Sequence, residues 1–183
     1  MSDNPKPNLE EINSKLAAAE LEEIDYYGGL EILLDAFASK ITELFGRNSL
    51  LAMTYQVGSR PGELIAQRLL NSRGGKLFDD PIEAFVTLFT NVPRFFHVKL
   101  KSIEKEENGS VCITFDNECF FRPVILHREA LTLGGPLCRV NKGYMEVALQ
   151  RMTGWKVTVK RVGASNGSEA CEEQVTFKPP VPV

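Results

Sequence analysis

The sequence predicts an α+β fold in which an antiparallel sheet of about four strands packs against a layer of helices. Apolar residues recur at helical spacing over most of residues 30–92. Two later stretches, 96–115 and 155–177, instead alternate apolar and polar residues on either side of an Asn-Gly turn, the pattern of a β-hairpin. A further helical pattern, which ends at Gly154, separates the two hairpins.

Length and composition are those of an ordinary globular domain. Of 183 residues, 43% are hydrophobic and 25% are charged, and the net charge is −3. This charge gives no electrostatic reason to expect nucleic acid or an anionic membrane as a partner. No apolar run reaches the ~20 residues of a transmembrane segment, and the N-terminus lacks the apolar core of a secretory signal. We therefore expect a cytoplasmic protein: a disordered lead over 1–7, one domain over 8–178 and a tail over 179–183.

The helices are predicted from their apolar faces and from the residues that end them. A first, weakly amphipathic helix covers Leu9–Ile24. The strongest apolar stripe covers Leu30–Phe45, and Gly46 is expected to end that helix. A third helix runs from near Asn48 towards residue 70. A short fourth helix begins at Asp80, an N-cap that is followed by proline in the first turn.

One face of the third helix carries only small residues at every fourth position. These are Thr54, Gly58, Gly62 and Ala66. Such a face lets another backbone approach closely. It indicates tight packing within the chain, the seam of a homodimer or a channel for a slender ligand, and we assign it to a dimer seam.

The hairpins are predicted from period-two alternation. Phe96, Val98 and Leu100 share one face of the first strand, and its partner strand covers Val111–Phe115. In the second hairpin the strand from Trp155 returns along residues 171–177. Each hairpin thus has one apolar and one polar face.

The C-terminal pattern resembles a known family. It follows the order of elements in the 4-vinyl-reductase domain. Here that order is Cys138, a helix containing Gly143, then Gly154, a strand, Gly167, and Cys171 before an aromatic strand ending at Phe177. That family binds small hydrophobic ligands and shares its fold with subunits of the TRAPP vesicle-tethering complex. The resemblance implies a TRAPP-like fold over residues 29–177, most specifically in the last forty of them.

The resemblance also bears on metal binding. Family members that bind zinc take two ligands from a Glu-x-x-Cys motif, whose positions fall here on Arg161 and Ala164. Zinc needs about four ligands, and only Cys138 and Cys171 remain as weak candidates. We therefore predict no metal site.

The sequence gives no reason to predict an enzyme. Its two histidines, His97 and His127, have no partner at a spacing that specifies a catalytic triad. The Gly-x-Gly-x-x-Gly fingerprint of dinucleotide binding is absent, and we expect no cofactor.

A cluster of aromatic residues indicates where a ligand would bind. Seven of the eleven phenylalanines lie between residues 85 and 121, where they either fill the core or line an apolar pocket. In the resembled family this loop and the helix that follows it border the ligand pocket. The candidate ligand-binding residues are Phe85, Phe89, Phe120, Phe121, Arg122, His127, Cys138, Tyr144 and Trp155.

The function that we predict is non-enzymatic binding of a small hydrophobic molecule, as a sensor, carrier or accessory factor. The alternatives are a TRAPP-like assembly subunit with a protein partner, and an accessory factor in tetrapyrrole or chlorophyll metabolism. A homodimer is expected in either case, on the evidence of the small-residue face and the Leu30–Phe45 stripe.

Overall fold

A computed structural model describes residues 26–126, 133–163 and 170–180. The predicted lead, the Leu9–Ile24 helix, His127 and Gly167 lie outside these residues. Contacts divide the chain into two units, Met1–Phe37 and Ala38–Val183. The first is described only through helical residues 26–37, and the sheet lies wholly in the second. The domain limits at residues 8 and 178 stay a prediction.

Helix α1 spans Tyr26–Ser72 and is interrupted at Gly46. There the backbone takes φ +78° and ψ 165°, which is not helical and which L side chains rarely adopt. This confirms that Gly46 ends the helix of the strong apolar stripe. Pro61 lies inside the second half of α1.

Helix α2, Pro81–Asn91, begins as the sequence predicts. Asp80 is its N-cap, and the carboxylate Oδ1 accepts a hydrogen bond from the Ile82 amide at 3.0 Å. The buried face of α2 carries Ala84, Phe85, Leu88 and Phe89.

Two hairpins form one antiparallel sheet. The strands are β1 (Phe96–Lys105), β2 (Val111–Cys119), β3 (Lys156–Gly163) and β4 (Cys171–Lys178), in the order β1-β2-β4-β3. Strand β4 pairs with β2, so Phe115 lies opposite Glu173 in the centre of the sheet. Leu100 is exposed although its alternation predicts an apolar face, because it lies on an edge strand where the register shifts before Ser102.

Helix α3 (Arg122–Leu126) follows β2, and helix α4 (Pro136–Thr153) covers the sheet. The α4 helix ends at Gly154, whose φ of +72° and bond to the Gln150 carbonyl form a left-handed cap, as predicted. It packs against β3 and α2. The core beneath α4 includes Met145, Leu149 and Met152 from the helix and Ile113, Val175 and Phe177 from the sheet.

Helices α1 and α4 touch through their backbones. A Cβ atom added at Gly62 would lie 2.5 Å from the Tyr144 carbonyl oxygen. A Cβ at Gly58 would meet the Val140 carbonyl more closely still, and Gly143 faces α1 in the same way. Only glycine permits this separation of the two helix axes.

This contact corrects the assignment of the small-residue face. Gly58, Gly62 and the fully buried Ala66 are covered by α4 or by the core of the same chain. Thr54 is partly buried and bonds the Leu50 carbonyl of its own helix at 2.8 Å. The face is therefore not free to form a dimer seam, and intramolecular packing accounts for its small side chains. The homodimer itself stays a prediction.

Candidate functional site

An apolar cavity of about 340 Å³ lies between α1, α4 and the ends of β1 and β2. Helix α1 contributes Pro61, Leu64, Ile65 and Arg68; the strand ends contribute Phe95, Phe96 and Phe120; α4 contributes Val140, Asn141 and Tyr144.

Aromatic rings form much of the wall of the apolar cavity. The rings of Phe95 and Phe120 meet edge to face at 5.3 Å, and Phe96 packs against Tyr144 at 5.4 Å. Phe95 and Phe120 remain 49% and 43% exposed. Large apolar side chains left uncovered around a concavity are typical of a binding surface.

Besides the Arg68 guanidinium, two uncharged polar groups enter this apolar wall. Burial raises the pKa of Tyr144 to about 12, so its hydroxyl keeps its proton and stays a hydrogen-bond donor at neutral pH. Asn141 is only 3% exposed. Within the part of the chain that the structure describes, neither side chain has a hydrogen-bond partner. A buried amide without a partner is costly unless a ligand or water bonds it.

A second cavity, also of about 340 Å³, lies at the start of α4 and is called here the basic cavity. Its cationic lining residues are Arg122, Arg139, Lys142, Lys160 and Arg161. Glu173 is the one carboxylate among its lining residues, which also include Cys119, Cys138 and Cys171. Asn141 lines both cavities.

The thiols of the basic cavity do not fit a zinc site. Burial raises the pKa of Cys119 to about 12 and also raises the pKa values of Cys138 and Cys171, which disfavours the thiolates that zinc requires. The Arg122 guanidinium donates to the Cys171 sulfur at 2.9 Å, and that cation would repel a metal ion. No three Cys, His, Asp or Glu side chains in the described ranges are arranged to hold a metal.

Glu173 lies on β4 beside these groups. Burial raises its pKa to about 7, against the opposing effects of an Asn117 hydrogen bond and the Arg161 charge. The Asn117 amide donates to Glu173 Oε2 at 2.9 Å. Asn117 Oδ1 is buried and has no partner among the described residues.

A buried carboxylate fixes the position of α4. The Tyr55 hydroxyl donates to Glu146 Oε2 at 2.8 Å, and the Val159 amide donates to Oε1 at 2.7 Å. Burial and then Glu146 raise the pKa of Tyr55 to about 12, which keeps it a donor. Glu146 thus connects α1, α4 and β3, and it positions the helix that carries Asn141 and Tyr144.

The predicted ligand residues separate into three groups. Phe120 and Tyr144 line the apolar cavity, whereas Arg122 and Cys138 line the basic cavity. The structure instead places Phe85 and Phe89 in the core, where both pack on Phe115 at 5.1 and 5.7 Å.

Two further candidates lie at neither cavity. Phe121 is buried behind Phe120, 3.9 Å from its ring. Trp155 is half-buried and is absent from the lining of both cavities. Sequence reasoning missed Asn141 and Glu146. Their only signal was spacing on an amphipathic helix: Met145 lies four positions after Asn141, and Leu149 lies three positions after Glu146.

Comparisons with known proteins bear on the fold. No family model matches the chain, and no curated protein does. The phenol-responsive sensory domain of the transcription activator PoxR, solved with phenol, matches with a TM-score of 0.53 and 16% identity. The match covers 81% of this chain and 74% of that chain. The chain has the TRAPP-like α+β fold.

A trafficking protein particle complex subunit 3 from Naegleria fowleri, covalently bound to palmitic acid, is a weaker match. Its TM-score is 0.45 at 15% identity, over 94% of this chain and 99% of that chain.

The fold class predicted from the hairpins and helices is confirmed by the sheet and by the PoxR match. No helix in the described ranges is long and apolar enough to cross a membrane.

Proposed function

We propose that this protein binds a small, mainly apolar molecule as a sensor or carrier and catalyses no reaction on it. The observation that carries the proposal is the apolar cavity, which places aromatic and aliphatic side chains around about 340 Å³. That volume is at the small end of the range for ligand pockets. The PoxR sensory domain, which has the same fold, responds to phenol.

The two unpartnered polar groups define the ligand more closely. The Tyr144 hydroxyl is a donor, and the Asn141 amide can both donate and accept. A ligand with a flat apolar body and one hydroxyl or carbonyl oxygen would satisfy both groups while its body contacts Phe96 and Phe120. Simple phenols have this chemistry.

Calorimetry with phenol and 2-naphthol tests the proposal. Leu64→Arg places a charge at the apolar cavity, and Leu77→Arg is the matched control because Leu77 is similarly exposed but does not line it. We expect wild type and L77R to bind alike and L64R to bind at least about tenfold more weakly, since the new guanidinium replaces apolar lining and adds a second cation beside Arg68. No binding at millimolar concentration, together with no apolar ligand in native mass spectra of the purified protein, would contradict the proposal.

A homodimer, or a protein partner in its place, is proposed on separate grounds. In the second unit, α1 leaves Leu44, Phe45, Met53 and Val57 exposed. Monomeric proteins rarely expose large contiguous apolar patches, and if these side chains form one, a two-fold pairing of such helices is the simplest way to cover it. The cytoplasmic location that the sequence predicts is supported by four free cysteines.

A further inference from the structure

The basic cavity holds more positive charge than its neighbours neutralise. Lys142 is paired with Glu146 at 3.4 Å, and Arg122 donates to Cys171. Arg139, Lys160 and Arg161 have no ion pair and no side-chain hydrogen bond with any residue that the structure describes.

The backbone adds to this positive potential. Helix α4 begins at the cavity with Gly135 as its N-cap, and no side chain of a described residue caps its first amides. The N-terminal end of an 18-residue helix carries a partial positive charge that favours anions. Nearby, the Gly134 amide donates to the Cys138 sulfur at 3.2 Å, and both residues line the cavity.

Asn141 independently points to a ligand. It is 3% exposed, it has no hydrogen-bond partner within the described ranges, and it lines both the basic and the apolar cavity. A ligand that reaches past Asn141 would contact cations at one end and aromatic rings at the other.

We infer that the natural ligand is a small amphipathic carboxylate, with its carboxylate in the basic cavity and its apolar part in the apolar cavity. The inference rests on the proposed function and names the ligand class. Arg161 offers a guanidinium fork that matches a carboxylate. A singly charged group fits better than a phosphate, because Glu173 shares the cavity and, with a pKa of about 7, is partly ionised at neutral pH and repels added negative charge.

Calorimetry with two probes of equal length tests the inference: 4-phenylbutyrate and its neutral analogue 4-phenylbutan-1-ol. Arg161→Met removes the guanidinium, and Lys99→Met removes an equal charge from β1, away from both cavities. We expect wild type and K99M to bind the acid about tenfold more tightly than the alcohol, and R161M to lose that preference. Binding of the alcohol should change less than twofold in R161M.

Four outcomes would overturn the inference. The first is that wild type binds the acid and the alcohol equally well, and the second is that R161M loses the same affinity for both probes. The third is that K99M loses as much affinity for the acid as R161M does. The fourth is that Leu64→Arg leaves the affinity for the acid unchanged. If the alcohol and phenol bind but the acid does not, the inference of a carboxylate ligand is wrong, while the proposed function stands. If only the acid binds and L64R is without effect, the proposed function fails and the basic cavity is a separate anion site.

Discussion

Gly62→Ala tests the backbone contact between α1 and α4. At an open helix position this substitution stabilises a protein by about 1 kcal/mol, because alanine has the higher helix propensity. Here the new methyl group would lie 2.5 Å from the Tyr144 carbonyl oxygen and 3.2 Å from its Cα. The neighbour is backbone, so α4 must move by at least 0.5 Å to reach the 3.0 Å that real contacts require. Overpacking of this kind costs about 1–3 kcal/mol.

The sign of the change in the free energy of unfolding therefore shows whether Gly62 contacts α4 of the same chain. We expect a net loss of up to about 2 kcal/mol in the free energy of unfolding from urea titration, with Gln56→Ala on the exposed face of α1 as a control near zero. Light scattering should give G62A the same oligomeric state as wild type, because the contact lies within one chain. A gain of about 1 kcal/mol, or a folded protein of lower oligomeric state, would refute the intramolecular contact.

Four further predictions follow from the site and its supports. Because burial raises the folded pKa of Glu173 from 4.5 to about 7, its contribution to stability is fully present below about pH 4.5 and is lost as the pH rises through 7. Glu173→Gln should remove that loss, at most about 3 kcal/mol, and a Tm–pH curve that E173Q leaves unchanged would contradict it. Glu146→Leu leaves the Val159 amide without its acceptor and should cost about 2–4 kcal/mol in urea unfolding, against about 1 for Tyr55→Phe; equal losses would refute the connecting role. Purified protein should contain less than one zinc per chain by mass spectrometry, and chelator should leave its Tm unchanged; a stoichiometric zinc would overturn this. Val57→Glu should turn the proposed dimer into a folded monomer in light scattering, whereas a monomeric wild type would eliminate the dimer.

Local chemistry made much of the fold predictable. The positive φ of Gly46 and Gly154 and the N-cap at Asp80 are short-range requirements, so the sequence shows them directly. The period-two alternation likewise located both hairpins. The strand order did not follow, because the pairing of β2 with β4 joins residues 54–66 positions apart and depends on packing beneath α4.

The site was only partly predictable for a different reason. An aromatic residue on an amphipathic helix has the same pattern whether it faces a core or a pocket, so Phe85 could not be told from Tyr144. Polar residues on a helix are normally interpreted as solvent-exposed. Asn141 and Glu146 break that rule because α1 and β3 enclose α4, and this enclosure is a tertiary effect.

The central place of β4 has a consequence for synthesis on the ribosome. Residues 171–178 are the last strand described, yet they pair with both β2 and β3. Until they emerge, β2 carries a free edge rich in Val111, Ile113 and Phe115, a template for wrong pairing with other chains. A nascent chain halted before residue 171 would lack two of the three strand pairings. Its first hairpin would then depend on chaperones to stay out of aggregates.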